Sequence, residues 1–201
     1  MKLHYSATSP YVRKVMACAI AREIDGQIEL VATNPHESPP GLLAHNPLSK
    51  VPTLVTEDGL ALFDSPVICE YLDSIGEVIP LFPRPGSPAR WHALKLQAVG
   101  DGILDAAVGR RGEQAKPKEA ARDAWIARQR AAMERALDLL EVEPLGQALD
   151  IGSITIACAL GYLDFRFAAE PWRQARPRLA AWFETFAKHP PLARTVPKDP
   201  A

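Results

Sequence analysis

The chain has 201 residues, 47% hydrophobic and 23% charged, enough to bury a sizeable core and too apolar for a disordered polypeptide. Its 23 Lys and Arg nearly balance 24 Asp and Glu, for a net charge of -1, so neither nucleic acid nor an anionic membrane is expected as a partner. No apolar run reaches the roughly 18 residues of a membrane span. The start, MKLHYSATSP, lacks the apolar stretch of a secretory signal, so the chain is expected in the cytoplasm.

Leu3 and Tyr5 alternate with Lys2 and His4 as a half-buried strand, followed by a turn from Ser6 to Ser9. Ser9-Pro10 opens a helix, serine as N-cap and proline as first helical residue, with Val12, Val15, Met16 and Ala19 on one buried face. Asp25-Gly26 ends it. Ile28, Leu30 and Ala32 alternate as a second strand, parallel to the first because a helix intervenes. A proline-rich stretch with a helical patch from Leu42 to His45 leads to two apolar runs, Val51 to Val55 and Leu60 to Phe63. Asp58-Gly59 between them signals a hairpin. A helix from Ser65 to Ile75 with Ile68, Tyr71, Leu72 and Ile75 on one face completes the order βαβ-α-ββα.

From Ile79 to Pro88 the chain has four prolines and a glycine, a stretch that continues neither helix nor central strand. This divides the chain into an α/β domain, residues 1–78, a linker, 79–87, and an all-α helical-bundle domain, 88–201. In the last, helices are predicted over Pro88 to Arg111, Pro117 to Glu141, Ser153 to Phe167 and Gln174 to Lys188. Ile154 to Gly161 is apolar almost all round and marks a helix at the centre of its domain.

Cys18, Cys69 and Cys158 are widely spaced on apolar helix faces, so they read as inert buried thiols rather than a disulfide framework or zinc cluster. No CxxC occurs, which disfavours a thioredoxin-type redox protein. The histidines show no metal-binding spacing, and no metal is expected.

Three segments carry a resemblance: Thr8-Ser9-Pro10-Tyr11-Val12-Arg13-Lys14 at the first helix, Asn46 to Leu54 before the hairpin, and Phe63-Asp64-Ser65-Pro66-Val67-Ile68 at the third helix. In order and spacing the chain resembles the glutathione S-transferase family over nearly its whole length. The resemblance implies a thioredoxin-like first domain, an all-helical second domain, a homodimer, and glutathione as co-substrate for attack on a small electrophile. The alternative within this resemblance is a glutathione-binding protein without useful turnover.

The resemblance also distributes roles. Pro52 is implied to be cis, turning the backbone of Val51 outward to pair with the cysteine of glutathione as an added strand does. Asp64 and Ser65, with the free N–H groups of their helix, are implied to cradle the γ-glutamyl carboxylate; the alternative is that either is only an N-cap. Ser9 is the leading candidate to hold the sulfur. A thiol near pKa 8.5 lowered by about 2 units requires about 2.7 kcal/mol of selective anion stabilisation. One charge-assisted hydrogen bond supplies roughly 1.5 to 3 kcal/mol, and a helix N-terminus roughly 0.3 to 1 more. Thr8, Tyr5 and Tyr11 offer rival hydroxyls.

Lys50, His36 and Arg13 are candidates for the glycyl carboxylate, the alternative being solvated surface charge. Asp101 is a candidate to reach the γ-glutamyl ammonium in a partner subunit. Arg110, Arg111 and Gln114 are candidates to line the pocket of the second substrate. Ser153 reads as a helix cap whose reciprocal partner, three residues on, is replaced by Ile156.

Overall fold

A computed structural model of the protein describes residues 1–76 and 78–199. Its first part is a four-stranded sheet in the order β2-β1-β3-β4, built from β1 (Lys2–Tyr5), β2 (Glu29–Ala32), β3 (Thr53–Val55) and β4 (Ala61–Leu62). Strand β1 runs parallel to β2, with Leu3 opposite Leu30, and antiparallel to β3, with Leu3 opposite Leu54. The hairpin β3-β4 turns at Gly59, whose φ of 87 is one that L side chains rarely adopt. Helix α1 (Pro10–Ala21) crosses from β1 to β2, short α2 (Pro40–Leu43) precedes the hairpin, and α3 (Ser65–Ile75) follows it and packs on α1.

The remainder is helical: α4 (Pro88–Gln114), α5 (Ala120–Val142), α6 (Ile151–Arg166), α7 (Pro177–Phe186) and α8 (Pro190–Ala193). This is the thioredoxin-like order followed by an all-α bundle. Helix α6 is buried from Ile151 to Leu163 without interruption and packs on both α4 and α1, so it joins the two parts. One contiguous core runs from Leu3 and Val15 through Ile103 and Ile156 to Phe186.

Several local expectations are corrected. Helix α1 stops at Ala21, ahead of Asp25-Gly26, because Arg22 turns back to the carbonyls of Asp73, Gly76 and Val78 and Glu23 takes a positive φ of 58. Helix α4 continues past its predicted end at Arg111 to Gln114. Helix α5 begins at Ala120 rather than Pro117, and α7 at Pro177, a proline at the first helical position, rather than at Gln174. The short α8 was not anticipated.

At α6 the helix starts two residues before Ser153. Asp150 is the N-cap, its carboxylate accepting from the Ser153 N–H at 2.8 Å, while Ser153 Oγ accepts from the Asp150 N–H at 2.9 Å. The reciprocal box is therefore complete, with Ser153 as its inner member and Ile156 irrelevant to it. On β2 only the flanking Ile28 is buried; Leu30 is 46% exposed because β2 is an edge strand whose face is not fully covered.

Candidate functional site

The strand register brings the three quoted segments to one end of the sheet. Thr53 lies opposite His4 and Leu62 opposite Leu54, so Tyr5, Pro52 and Asp64 stand at the same edge on three neighbouring strands. Ser9 follows β1 by four residues. The Val51–Pro52 and Phe63–Asp64 peptide bonds are both cis. Among the described residues, the N–H and C=O of Val51 take no backbone partner.

Ser9 is the N-cap of α1. Its Oγ accepts from the Val12 N–H at 3.3 Å, and its own N–H donates to the Ser6 carbonyl at 3.1 Å. The hydroxyl hydrogen has no acceptor among the described residues, so it is available to an anion at the positive end of a helix. The bond accepted from Val12 polarises the O–H and strengthens it as a donor. Capping and thiolate binding are thus compatible roles for one hydroxyl.

At α3, Asp64 occupies the N-cap position but its carboxylate makes no cap bond. Ser65 is buried at 2% exposure. Pro66 has no N–H, so the donors left open at this helix end are those of Ser65 and Val67. The loop carrying Val51 is fixed by Asn46, 1% exposed, whose Nδ2 donates to the Lys50 carbonyl at 3.2 Å and to Thr53 Oγ1 at 2.9 Å. Its Oδ1 accepts from the Leu48 N–H at 2.9 Å. Sequence reasoning quoted Asn46 without giving it this work. Ser49 Oγ donates to the Pro35 carbonyl, which ties the loop of His36 to that of Lys50; both of those side chains are exposed, with no side-chain partner among the described residues.

The cationic and aromatic candidates on α1 lie elsewhere. Tyr11 donates its hydroxyl to Asp105, and burial followed by that bond pushes its pKa up. Lys14 is fully buried, with Nζ 2.6 and 2.8 Å from the carboxylate oxygens of Asp101. Burial raises the Asp101 carboxyl above its ordinary value although Lys14 pulls it down, and Asp105 and Asp64 are near enough to push it the same way as burial. Asp101 is thus engaged within its own chain.

Arg13, a candidate for the glycyl carboxylate, is 8% exposed and packs against Gly161 of α6 and Leu192 of α8, its Nη2 donating to the Leu192 carbonyl at 3.4 Å. The reading of Arg13 as solvated surface charge is overturned. So is the placing of Arg110 at a second-substrate pocket, because it is buried against Glu170 at 2.8 Å and stacks on Phe167.

Beside Ser9 opens a cavity of about 340 Å³, lined among others by Tyr5, Thr8, Arg13, Tyr162 and Arg194. Tyr5 and Thr8 therefore share the neighbourhood of Ser9, whereas Arg111 and Gln114 do not line it. The three cysteines are buried. A hydrogen bond with Cys69 and then burial push the Cys18 thiol up, and burial pushes Cys158 up to about 11, both toward the protonated thiol. Among the described residues no group of three His, Cys, Asp or Glu side chains is placed to hold a metal ion.

Comparison with known proteins agrees with this architecture. Residues 8–75 match the family model described as glutathione S-transferase, N-terminal domain, and residues 123–185 the one described as glutathione S-transferase, C-terminal domain. The uncharacterized GST-like protein YibF of Escherichia coli (strain K12) is 37% identical over 202 residues, 98% of each chain. A glutathione transferase family member from Pseudomonas fluorescens Pf-5, solved with bound glutathione, is 41% identical with a TM-score of 0.92, covering 98% of this chain and 99% of that one. A structure from the same organism with bound S-(propanoic acid)-glutathione is 40% identical, with a TM-score of 0.88 and coverage of 99% and 100%. The chain belongs to the glutathione S-transferase family.

Proposed function

We propose that this protein is a glutathione transferase that binds glutathione across Ser9, Val51 and Ser65, ionises its thiol and directs the thiolate at a small electrophile in the adjoining cavity. The observation that carries the reading is Ser9, a helix N-cap whose oxygen is held by Val12 while its proton is free, at the mouth of a cavity. Thr8 stands beside it in the same wall, and the glycyl carboxylate is assigned to Lys50, with His36 on the tied loop. The open donors at Ser65 and Val67 suit the γ-glutamyl carboxylate, with Asp64 for the ammonium. The thiolate sulfur forms a bond to the electrophilic carbon, whose electron pair leaves with a displaced group or passes to a neighbouring carbon that then takes a proton. That relatives hold glutathione and a glutathione thioether supports this assignment.

The working form in this proposal is a homodimer in the cytoplasm, where glutathione is abundant and thiols stay reduced. Val67 and Trp91 are 46% and 65% exposed, on helices joined by the Arg90–Glu70 bond, and offer an apolar face for a second copy. Sedimentation equilibrium of the wild type and Trp91→Glu tests the dimer.

The site is tested by titrating glutathione into the protein by calorimetry while thiolate absorbance is followed against pH. Ser65→Ala is expected to weaken binding roughly 5- to 30-fold. Ser9→Ala is expected to keep most of the affinity but return the bound thiol toward its free pKa of about 8.5. Absence of binding at millimolar glutathione overturns the assignment; binding with an unshifted thiol in the wild type reduces the protein to a glutathione binder.

A further inference from the structure

Leu3 belongs to the main core, so the alternation of β1 turns His4 to the opposite face of the sheet, where it meets His45 just beyond α2. The protons of this contact can be placed. Thr33 Oγ1 donates to the Val31 carbonyl at 2.9 Å, so toward His4 Nδ1, 3.1 Å away, it accepts, and His4 carries a proton on Nδ1. In the neutral ring Nε2 is then an acceptor, and the 3.2 Å bond to it is donated by His45 Nδ1. One added proton fits this arrangement: it sits on His4 Nε2 and points at His45 Nδ1, which becomes the acceptor by carrying its own proton on Nε2 instead. A second does not fit. With both rings charged, each of the two facing nitrogens bears a hydrogen, and two cations meet with no acceptor between them.

No nearby charge relieves that conflict. On the same face of the sheet β1 and β2 present Lys2 and Glu29, which pair with each other at 3.9 Å, while β3 presents Thr53 and Val55. Helix α2 has no charged residue, and the loops beside it carry His36, Glu37 and Lys50, all exposed, with Glu37 bonded to Asn34. Among the described residues, burial and then His45 hold the His4 pKa below its ordinary value. The pair is also joined on two sides to the loop that carries Val51. His45 is followed at once by Asn46, whose bonds to Leu48, Lys50 and Thr53 fix that loop, and Thr53 lies opposite His4 in the register of β1 with β3.

Resting on the glutathione reading above, we propose that His4 and His45 are positioning residues for the Val51 loop, holding it through Asn46 while the pair carries at most one added proton and releasing it when both rings are charged. Glutathione is then held at neutral pH and let go on acidification. The parted rings take up protons more readily than the joined ones, so acid favours the parted state, and for one proton the affinity falls by no more than about tenfold per pH unit. Charging the exposed His36 has the opposite sign, because it attracts the glycyl carboxylate.

The test titrates S-methylglutathione, whose sulfur does not ionise and whose amine and carboxyls titrate outside the range used, into wild type and His45→Gln by calorimetry between pH 7 and pH 5. The wild-type dissociation constant is expected to rise about 3- to 10-fold over that range. In His45→Gln the side-chain amide offers His4 a donor or an acceptor as its ring requires, and the constant is expected to stay within about twofold. A flat wild-type profile, or one that tightens in acid, overturns the inference and leaves the glutathione site standing. Absence of binding at pH 7 overturns both. An equal fall in His45→Gln also overturns it, by taking the pH dependence away from the pair. Hydrogen exchange of the free wild type decides where the variant does not fold: residues 46–52 are expected to lose protection between pH 7 and pH 5, after correction for the intrinsic rate, while α6 keeps it. Unchanged protection of that loop, or a loss that extends to α6, overturns the inference.

Discussion

Lys14 has no exposed surface, and among the described residues its ammonium is held by Asp101 alone. Desolvating both groups offsets much of their attraction, so the pair adds little net stability, yet removing one partner strands the other. Lys14→Met is expected to destabilise the fold by roughly 3 to 5 kcal/mol, and Lys14→Met with Asp101→Leu by clearly less than the sum of the single changes. Urea midpoints of the four proteins check this; strict additivity would mean that the two charges are not coupled. The sequence did not show Arg13 or Lys14 to be buried, because helical periodicity assumes one wet face. Helix α1 is instead covered on several sides, by α3, α6 and α8.

His4 is a second residue whose setting the alternation of β1 concealed. It is 7% exposed, with Nε2 3.2 Å from His45 Nδ1 and Nδ1 3.1 Å from Thr33 Oγ1. Burial, and then His45, lower its pKa from the usual 6.5. The unfolded chain then binds more protons at this site than the folded one, so folding stability rises with pH across the window below 6.5 and is lost on acidification through it. The slope from one such group cannot exceed about 1.4 kcal/mol per pH unit. Denaturation midpoints between pH 5 and 7 are expected to fall on acidification in the wild type and to fall less in His4→Gln; parallel curves would exclude His4 as the source.

At the level of elements, legibility followed the kind of signal. The hairpin at Asp58-Gly59 and the bounds of α3 could be read because a turn type and an N-terminal proline are local chemistry. The candidate site was drawn from Ser9, Val51-Pro52 and Asp64-Ser65 only because a family likeness linked three segments, which the strand register brings to one end of the sheet; each segment alone is a common cap or turn. Asn46 stayed silent, since its three bonds close a loop that sequence spacing does not reveal. Asn46→Ala is expected to weaken glutathione binding several-fold through the slackened Val51 loop without changing the bound thiol's pKa, which calorimetry and thiolate absorbance separate.

The capping box of α6 and its glycine contacts with α4 are element-scale features of the same kind. A Cβ at Gly152 would stand 2.6 Å from the Ala93 carbonyl oxygen, and one at Gly100 2.8 Å from Thr155 Cγ2, so the two helices touch where side chains are missing. Gly152→Ala is expected to cost roughly 1 to 3 kcal/mol by overpacking, whereas Gly26→Ala, with open space around it, serves as a near-neutral control. Thermal midpoints compare them. Asp150→Ala is expected to cost about 1 kcal/mol through the lost cap.

For the whole molecule, the question is whether the sheet part and the helical part are separately stable. The contacts that cross between them are of several kinds: Lys14 to Asp101, Tyr11 to Asp105, Arg13 to the Leu192 carbonyl and Asp25 to Arg194; the linker adds the Ile151 N–H to the Leu81 carbonyl at 3.0 Å. Helix α1 shares its buried face between α3 and α6, so cutting the chain at the proline-rich stretch would expose apolar surface together with an unpaired lysine. A piece of 86 residues sits in the size range where a single core is marginal even when intact. Residues 1–86 alone are therefore expected to lack a cooperative unfolding transition. The full chain is expected to unfold in one step, with far-UV and near-UV circular dichroism and tryptophan fluorescence coincident. The probes divide usefully, because all four tryptophans lie from Trp91 onward while the last strand ends at Leu62. Two separated transitions, with fluorescence lagging loss of the sheet, would show that the helices stand without α1 and that the site at its N-terminus can melt on its own.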